Sequence, residues 1–276
     1  MTESSGSLVP SPERPSATPV VLTPVEGTAA FPAHLRELRD EVQRFLLEYE
    51  FGLREVETKI SILRDEFQQM HEYNPIEHVT SRVKSIDSVL DKVRRKNLTL
   101  DLETMRREIT DIAGLRVTCS FTGDVYRLFE LLTRQDDIRL LAVKDYIAEP
   151  KENGYKSLHA IVEVPVFLSS GRVGVTVEVQ FRTIAMDFWA SLEHKIFYKY
   201  DGAVPVALVG ELKEAADVAN RLDVDMERLH DQVVSLGASD GAVAPQASQA
   251  ATHGADGLVP FPLPRSILEA FMAKAP

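Results

Sequence analysis

The side chains whose types and spacing could do chemistry together fall between Asp111 and Arg182. In Val173 to Arg182, Val175, Val177, Val179 and Phe181 alternate with Thr176, Glu178, Gln180 and Arg182. A period of two puts Glu178 on the polar face of a strand whose other face is apolar. Asp111 stands at the entrance of another strand beside Ala113-Gly114, small residues that let a backbone approach a ligand closely. Two carboxylates on neighbouring strands, opposed by arginines and lysines, suit Mg²⁺, which takes one or two protein carboxylates and fills its other positions with triphosphate oxygens. The competing reading pairs Glu178 with Lys156 or Arg182 across a hairpin. Spacing alone leaves both open.

The cations are not spread evenly. Arg82, Lys84, Lys92, Arg94, Arg95 and Lys96 face only Asp87 and Asp91, a local surplus of +4 in a chain of net charge -11. A basic run is ordinarily a solvated helix face, but Arg82 and Lys84, two apart on a β-leaning segment, project to one side as a phosphate pocket requires. Tyr155 follows the turn signal Asn153-Gly154, which would hold its ring at a loop edge where a base could stack, and His159 opens the next strand. No G-x-x-x-x-G-K-[ST] or G-x-G-x-x-G occurs, so a nucleotide site here is neither a P-loop nor a Rossmann site.

The elements that must position these groups follow from periodicity. Apolar residues from Leu35 to Met70 recur at helical spacing and predict two helices, or one kinked at Gly52, over 34–72, ended by Asn74-Pro75. Strand character over 76–85 precedes a helix to Lys96. Residues 112–120 predict a strand, 122–134 a helix and 138–147 a strand. The runs 158–166 and 173–182, joined by Ser169-Ser170-Gly171, predict an antiparallel hairpin. A helix over 183–198 would bury Ile184, Phe188, Trp189, Leu192 and Ile196, with Trp189 and Cys119 as core residues. Leu208, Leu212, Ala215, Ala219, Leu222, Met226, Leu229, Val233 and Leu236 form a heptad seam. Five prolines among small polar residues in 1–31, and the Ala, Ser, Gly and Pro after Gly237, predict disordered tails, with a short helix at 266–273.

The acidic balance argues against a protein that coats nucleic acid, one cysteine excludes an intramolecular disulfide, and no apolar run approaches the ~20 residues of a membrane span. With no signal peptide read in residues 1–30, a cytoplasmic protein without a membrane partner is expected.

Asp111 to Arg116, Lys144-Asp145-Tyr146-Ile147, Pro150 to His159, Val177 to Thr183 and Ala190-Ser191-Leu192-Glu193-His194, with Arg82-Val83-Lys84-Ser85 upstream, resemble the synthetase domain of the RelA/SpoT homologues over residues 34–236. Among these homologues the chain is similar to the small alarmone synthetases. The resemblance implies an α+β fold, a mixed and mainly antiparallel sheet flanked by helices, with helical extensions at both ends. It divides the chain into a tail at 1–31, N-terminal helices at 32–75, a catalytic domain at 76–200, the heptad helix at 201–236 and a second tail at 237–276.

It also implies a reaction, transfer of the β,γ-pyrophosphate of ATP to the ribose 3′-hydroxyl of GDP or GTP with release of AMP. By motif, Asp111 and Glu178 would hold Mg²⁺, Glu178 also being placed to take the hydroxyl proton. Arg82 and Arg116 would clasp adenine, and Lys84, Ser88 and Lys92 would meet the ATP phosphates. Tyr155 would stack on guanine, with Lys144, Lys151, His159 and Gln180 lining the acceptor side. No hydrolase activity is expected, since His230-Asp231 is read as a surface pair, and no ribosome-binding domain is expected. A homo-oligomer, with a tetramer favoured, would assemble through the helices. Some relatives bind product or single-stranded RNA in a tetramer cleft; Arg54, Lys59 and Arg64 offer charge for RNA but no motif. Two other readings are an enzyme that moves AMP instead, and a silent nucleotide-sensing scaffold.

Overall fold

The computed structural model describes residues 33–198 and 206–239. The expected tails and the helix at 266–273 lie outside them, apart from 237–239, which end the last helix. Contacts divide the chain into one unit up to Leu229 and another from His230 onward.

The chain folds as α+β. Five strands, β1 (Ile76–Val83), β2 (Ala113–Cys119), β3 (Arg139–Asp145), β4 (Leu158–Leu168) and β5 (Gly171–Thr183), form one sheet in the order β1-β2-β5-β4-β3. Only β2 and β5 pair in parallel; the other three pairings are antiparallel. Direct register partners share a face, so the alternation in each strand sorts the sheet into an apolar side and a polar side. Leu115, Val117, Ala160, Val162, Val177, Val179 and Phe181 are buried on the apolar side.

The helix α1 (Ala33–Met70) packs on that side. Phe45, Tyr49, Leu53, Val56, Ile60, Leu63 and Phe67, three or four residues apart, are its buried stripe. Leu38 and Met70, from the same predicted pattern, are exposed. Gly52 does not break the helix. A Cβ there would lie 2.5 Å from Val175 Cγ1, so glycine permits a close approach between α1 and β5. α2 (Ile86–Arg95) and α4 (Thr122–Thr133) complete the expected helices of the first half. α3 (Leu102–Glu108), capped by Asp101 through Thr104 N, was not anticipated: seven residues burying only Met105 carry no readable period.

Two helical faces differ from expectation. In α5 (Ile184–Tyr198), Met186, Trp189 and Ala190 are buried, whereas Ile184, Phe188, Leu192 and Ile196 are exposed, Phe188 at 65%. The rotation is set by Asp187, which turns toward two sheet arginines, and by Trp189, whose indole N–H donates to the Leu212 carbonyl at 3.0 Å. In α6 (Val206–Ser239) the inward stripe is Leu212, Ala216 and Asp223, while Ala215, Leu222, Met226, Leu229, Val233 and Leu236 are exposed. The heptad step drifts because the inner stripe includes polar groups: Asp223 Oδ2 accepts from Thr183 Oγ1 at 2.7 Å. Cys119 is fully buried and its thiol is pushed up by burial, in keeping with a core role.

Alanine at position 52 gains about 1 kcal/mol of helix propensity but must overpack Val175, at about 1–3 kcal/mol. Gly52→Ala is therefore expected to lower stability in urea unfolding. Its loss should be less than additive with that of Val175→Ala; additive losses would contradict the close approach.

Candidate active site

The register of the polar face assembles the site. One transverse row runs Arg82, Gly114, Glu178 and Ile161; the next runs Thr80, Arg116, Gln180, His159 and Lys144. Glu178 is thus on the central strand, with Arg82 and Arg116 toward one sheet edge and His159 and Lys144 toward the other. Asp111, just before β2, enters from the first side.

Around Asp111 the cations converge. Lys84 N donates to Ile112 O at 2.7 Å, which carries the ladder one residue past β1 and brings its ammonium 2.7 Å from Asp111 Oδ2. Lys92, on α2, reaches the same oxygen at 2.7 Å. Ser88, one turn before Lys92, shares a hydroxyl contact of 2.9 Å with the helix cap Ser85. Burial would raise the Asp111 carboxyl, but the two ammoniums outweigh it and hold the carboxyl below its ordinary range. Asp111 Oδ1 is buried without a hydrogen-bond partner, and so is Arg116 Nε; both such side-chain atoms found among the described residues belong to this site. Unsatisfied buried groups are costly enough to mark places where a ligand completes the bonding.

Glu178 is the end point of a closed hydrogen-bond circuit. Arg182 Nη2 donates to Tyr155 Oη at 2.7 Å and to Gln180 Oε1 at 3.0 Å. Gln180 Nε2 donates to Glu178 Oε2 at 2.8 Å. On the other branch Tyr155 Oη is 2.9 Å from His159 Nε2, and His159 Nδ1 is 3.3 Å from Glu178 Oε1. An ionised carboxylate only accepts, so in the neutral ring Nδ1–H donates to Glu178 and Nε2 accepts from Tyr155. Burial acts to raise the Glu178 carboxyl, yet the His159 and Gln180 bonds bring it below its usual value, with nearby Asp111 opposing them.

Asp187 ties the two sides. Its Oδ1 lies 3.0 Å from Arg116 Nη1 and 3.0 Å from Arg182 Nη1. Burial and the charge of Arg182 lower the Arg116 pKa, against Asp187, which raises it. The Lys151 ammonium stands 4.7 Å from the Tyr146 ring centroid and 4.6 Å from that of Tyr155, and the Arg182 guanidinium is 5.2 Å from the Tyr155 ring. Lys144 and Lys151 are exposed. Glu178 has neither of the partners first weighed for it, since Lys156 Nζ donates to Asn220 and Arg182 bonds around Glu178 rather than to it.

Arg182 and Asp187 stand in the site without having been given a place in it from the sequence. Arg182 carried a readable signal, a polar-face arginine in line with Glu178 and Gln180; Asp187 carried none.

No group of three His, Cys, Asp or Glu among the described residues is arranged to hold a metal ion. Asp111 and Glu178 do fit a metal completed by substrate oxygens, because Asp111 Oδ1 is an unpartnered buried acceptor within electrostatic reach of Glu178.

Carboxylates, lysines and arginines gathered on one sheet face are what handling a polyphosphate requires. The model for the region found in RelA / SpoT proteins matches residues 81–203. GTP pyrophosphokinase YwaC of Bacillus subtilis (strain 168) is 48% identical over 192 residues, 70% of this chain and 91% of that protein. The structure of small alarmone synthetase 1 from Bacillus subtilis bound to its product pppGpp superposes with a TM-score of 0.66 at 38% identity, covering 71% of this chain and 99% of that one. A structure of that synthetase bound to AMPCPP gives 0.60 at 34% identity, covering 70% and 98%. The chain belongs to the small alarmone synthetases of the RelA/SpoT family.

A depressed carboxyl adds stability that is fully present above its unfolded pKa and is lost as pH falls through the lower folded value. The window for Asp111 and Glu178 therefore opens at the ordinary carboxylate range, about pH 4, and extends below it. Asp111→Asn is expected to flatten the fall of Tm across this window and to lower Tm at neutral pH, since Lys84 and Lys92 lose their counter-charge. Melting curves that stay parallel to wild type across the window would contradict the assignment.

Proposed function

We propose that this chain is a GTP/GDP pyrophosphokinase, moving the β,γ-pyrophosphate of ATP to the 3′-hydroxyl of GDP or GTP and releasing AMP. The observation that carries the reading is the placement of two ionised carboxylates between a cationic side and an aromatic side of one sheet face.

ATP would lie over β1, β2 and α2. Arg82 and Arg116 offer guanidinium planes to adenine, and Lys84 and Lys92 would turn from Asp111 toward phosphate oxygens, with Ser88 beside them. The acceptor would lie over β4 and β3. Guanine would take the Tyr155 ring face that Lys151 covers, and Lys151, Lys144, His159 and Gln180 would meet its sugar and phosphates. Asp111 and Glu178 would hold Mg²⁺, which when bound neutralises charge building on the triphosphate.

The 3′-oxygen attacks the β-phosphorus, the bond from that phosphorus to the α,β-bridging oxygen breaks, and AMP leaves with the bonding pair. Glu178 accepts the hydroxyl proton. Held below its ordinary pKa, it is ionised at neutral pH and always able to orient the hydroxyl, so positioning contributes more than basicity. We place the protein in the cytoplasm, without hydrolase activity; no described helix is long and apolar enough to cross a membrane.

Incubation with ATP, Mg²⁺ and GDP or GTP, followed by anion-exchange separation, should yield AMP together with a more phosphorylated guanosine. Glu178→Gln should lower the rate about 10²-fold or more. Free pyrophosphate with an adenylated guanosine would instead identify AMP transfer, and a fully active variant would remove Glu178 from its role.

We also infer a homo-oligomer, with a tetramer favoured, from the apolar stripe Ile184, Phe188, Leu192 and Ile196 left exposed on α5 and from Leu222, Met226 and Leu229 on α6. Light scattering should show more than one chain per particle, and Phe188→Glu should shift the particle toward monomer. A wild-type monomer at all concentrations would overturn this.

A further inference from the structure

The loop that carries Tyr155 does not stand alone. Gly154 has φ +86°, a left-handed conformation that glycine adopts without strain, and its N–H donates to Lys151 O at 2.8 Å. A Cβ at Gly154 would overlap the Ala216 methyl and lie 3.6 Å from Lys213 Cα, so the loop backbone rests directly on α6. Either side of this contact is pinned: Lys156 Nζ donates to Asn220, Thr183 Oγ1 donates to Asp223 Oδ2 at 2.7 Å, and Trp189 Nε1 donates to Leu212 O at 3.0 Å. Trp189, Ala190, Leu212 and Ala216 form a small core of their own against which Tyr155 packs. The inward stripe of α6 is therefore fitted to the loop, to Trp189 of α5 and to the end of β5.

We propose that Ala216 is a positioning residue for the acceptor nucleotide: its methyl, seated on Gly154, sets where the Tyr155 ring stands, so α6 controls affinity for the guanosine substrate without touching it. This rests on Tyr155 being the guanine platform. A larger side chain at Ala216 bears on the Gly154 backbone, which has no side chain to give way. The loop moves outward, carrying Tyr155 away from His159 and Arg182. The ATP side, built on β1, β2 and α2, shares no residue with this contact.

The test is steady-state kinetics on the full chain. Ala216→Leu should raise KM for GDP and GTP by about tenfold, as ~1.4 kcal/mol of overpacking at the platform would, with KM for ATP within about twofold of wild type. Ala215→Leu, which adds the same bulk on the exposed side of α6, should leave both unchanged. Trp189, the only tryptophan in the chain, reports docking of α6, and its emission should keep the wild-type maximum. If the leucine undocks α6, seen as a red shift, Asn220→Ala decides, since it removes the Lys156 bond without adding bulk: a raised acceptor KM at unchanged ATP KM supports the proposal, and no change overturns it. Equal rises in both KM values, or equal effects of the two leucines, also overturn it. Tyr155→Ala run alongside separates the failures. If it leaves acceptor KM unchanged, the platform reading is wrong; if it raises KM while docked Ala216→Leu does not, only the brace is wrong.

Discussion

The parallel pairing of β2 with β5 is the constraint on which the rest depends. It sets Gly114 beside Glu178 and Arg116 beside Gln180, and so brings the strand that follows Asp111 against the strand that carries Glu178. A slip of one residue would turn Glu178, Gln180 and Arg182 into the core and Val177, Val179 and Phe181 out of it. The register is protected by α1, whose stripe packs on the apolar side across the central strands. Gly52 lets that helix sit close to β5. Burial on one face thus fixes the polar chemistry on the other.

Electrostatics then divides the open face. Carboxylates this close would ordinarily repel, and one would hold its proton. Here Asp111 is neutralised by Lys84 and Lys92, and Glu178 is held by His159 and Gln180, so burial is outweighed at both and both stay ionised. A polyphosphate entering the site finds half-buried lysines already drawn together on one carboxylate oxygen. It needs to exchange one set of oxygens for another, with little reorganisation.

Much of this was readable from residue types. The alternation in 173–182 put Glu178, Gln180 and Arg182 on one face, and the hairpin to 158–166 followed from its turn. What periodicity could not supply was rotation. α5 has two apolar stripes, and which one turns inward is decided by Asp187 and Trp189, whose partners, Arg116, Arg182 and the Leu212 carbonyl, are distant in sequence. The inner face of α6 was hidden for the same reason: Asn220 and Asp223 are polar, so an apolar count steps past them. The short α3 lacks enough turns to show a period. Asp111 was legible as a candidate, but its two ammonium partners come from different elements, the end of β1 and the body of α2, and only the fold joins them.

The order of pairing also bears on how the molecule comes into being. Between the two strands that meet at the centre of the sheet lie α4, β3 and β4, so the chain must close a long loop, at an entropic cost, before Asp111 and Glu178 share a face. Asp111 finds Lys84 and Lys92 on elements that precede or adjoin β2, whereas Glu178 comes only with β5. The two carboxylates therefore share a face only where β5 is paired with β2, and without that pairing the lysine half of the site stands alone.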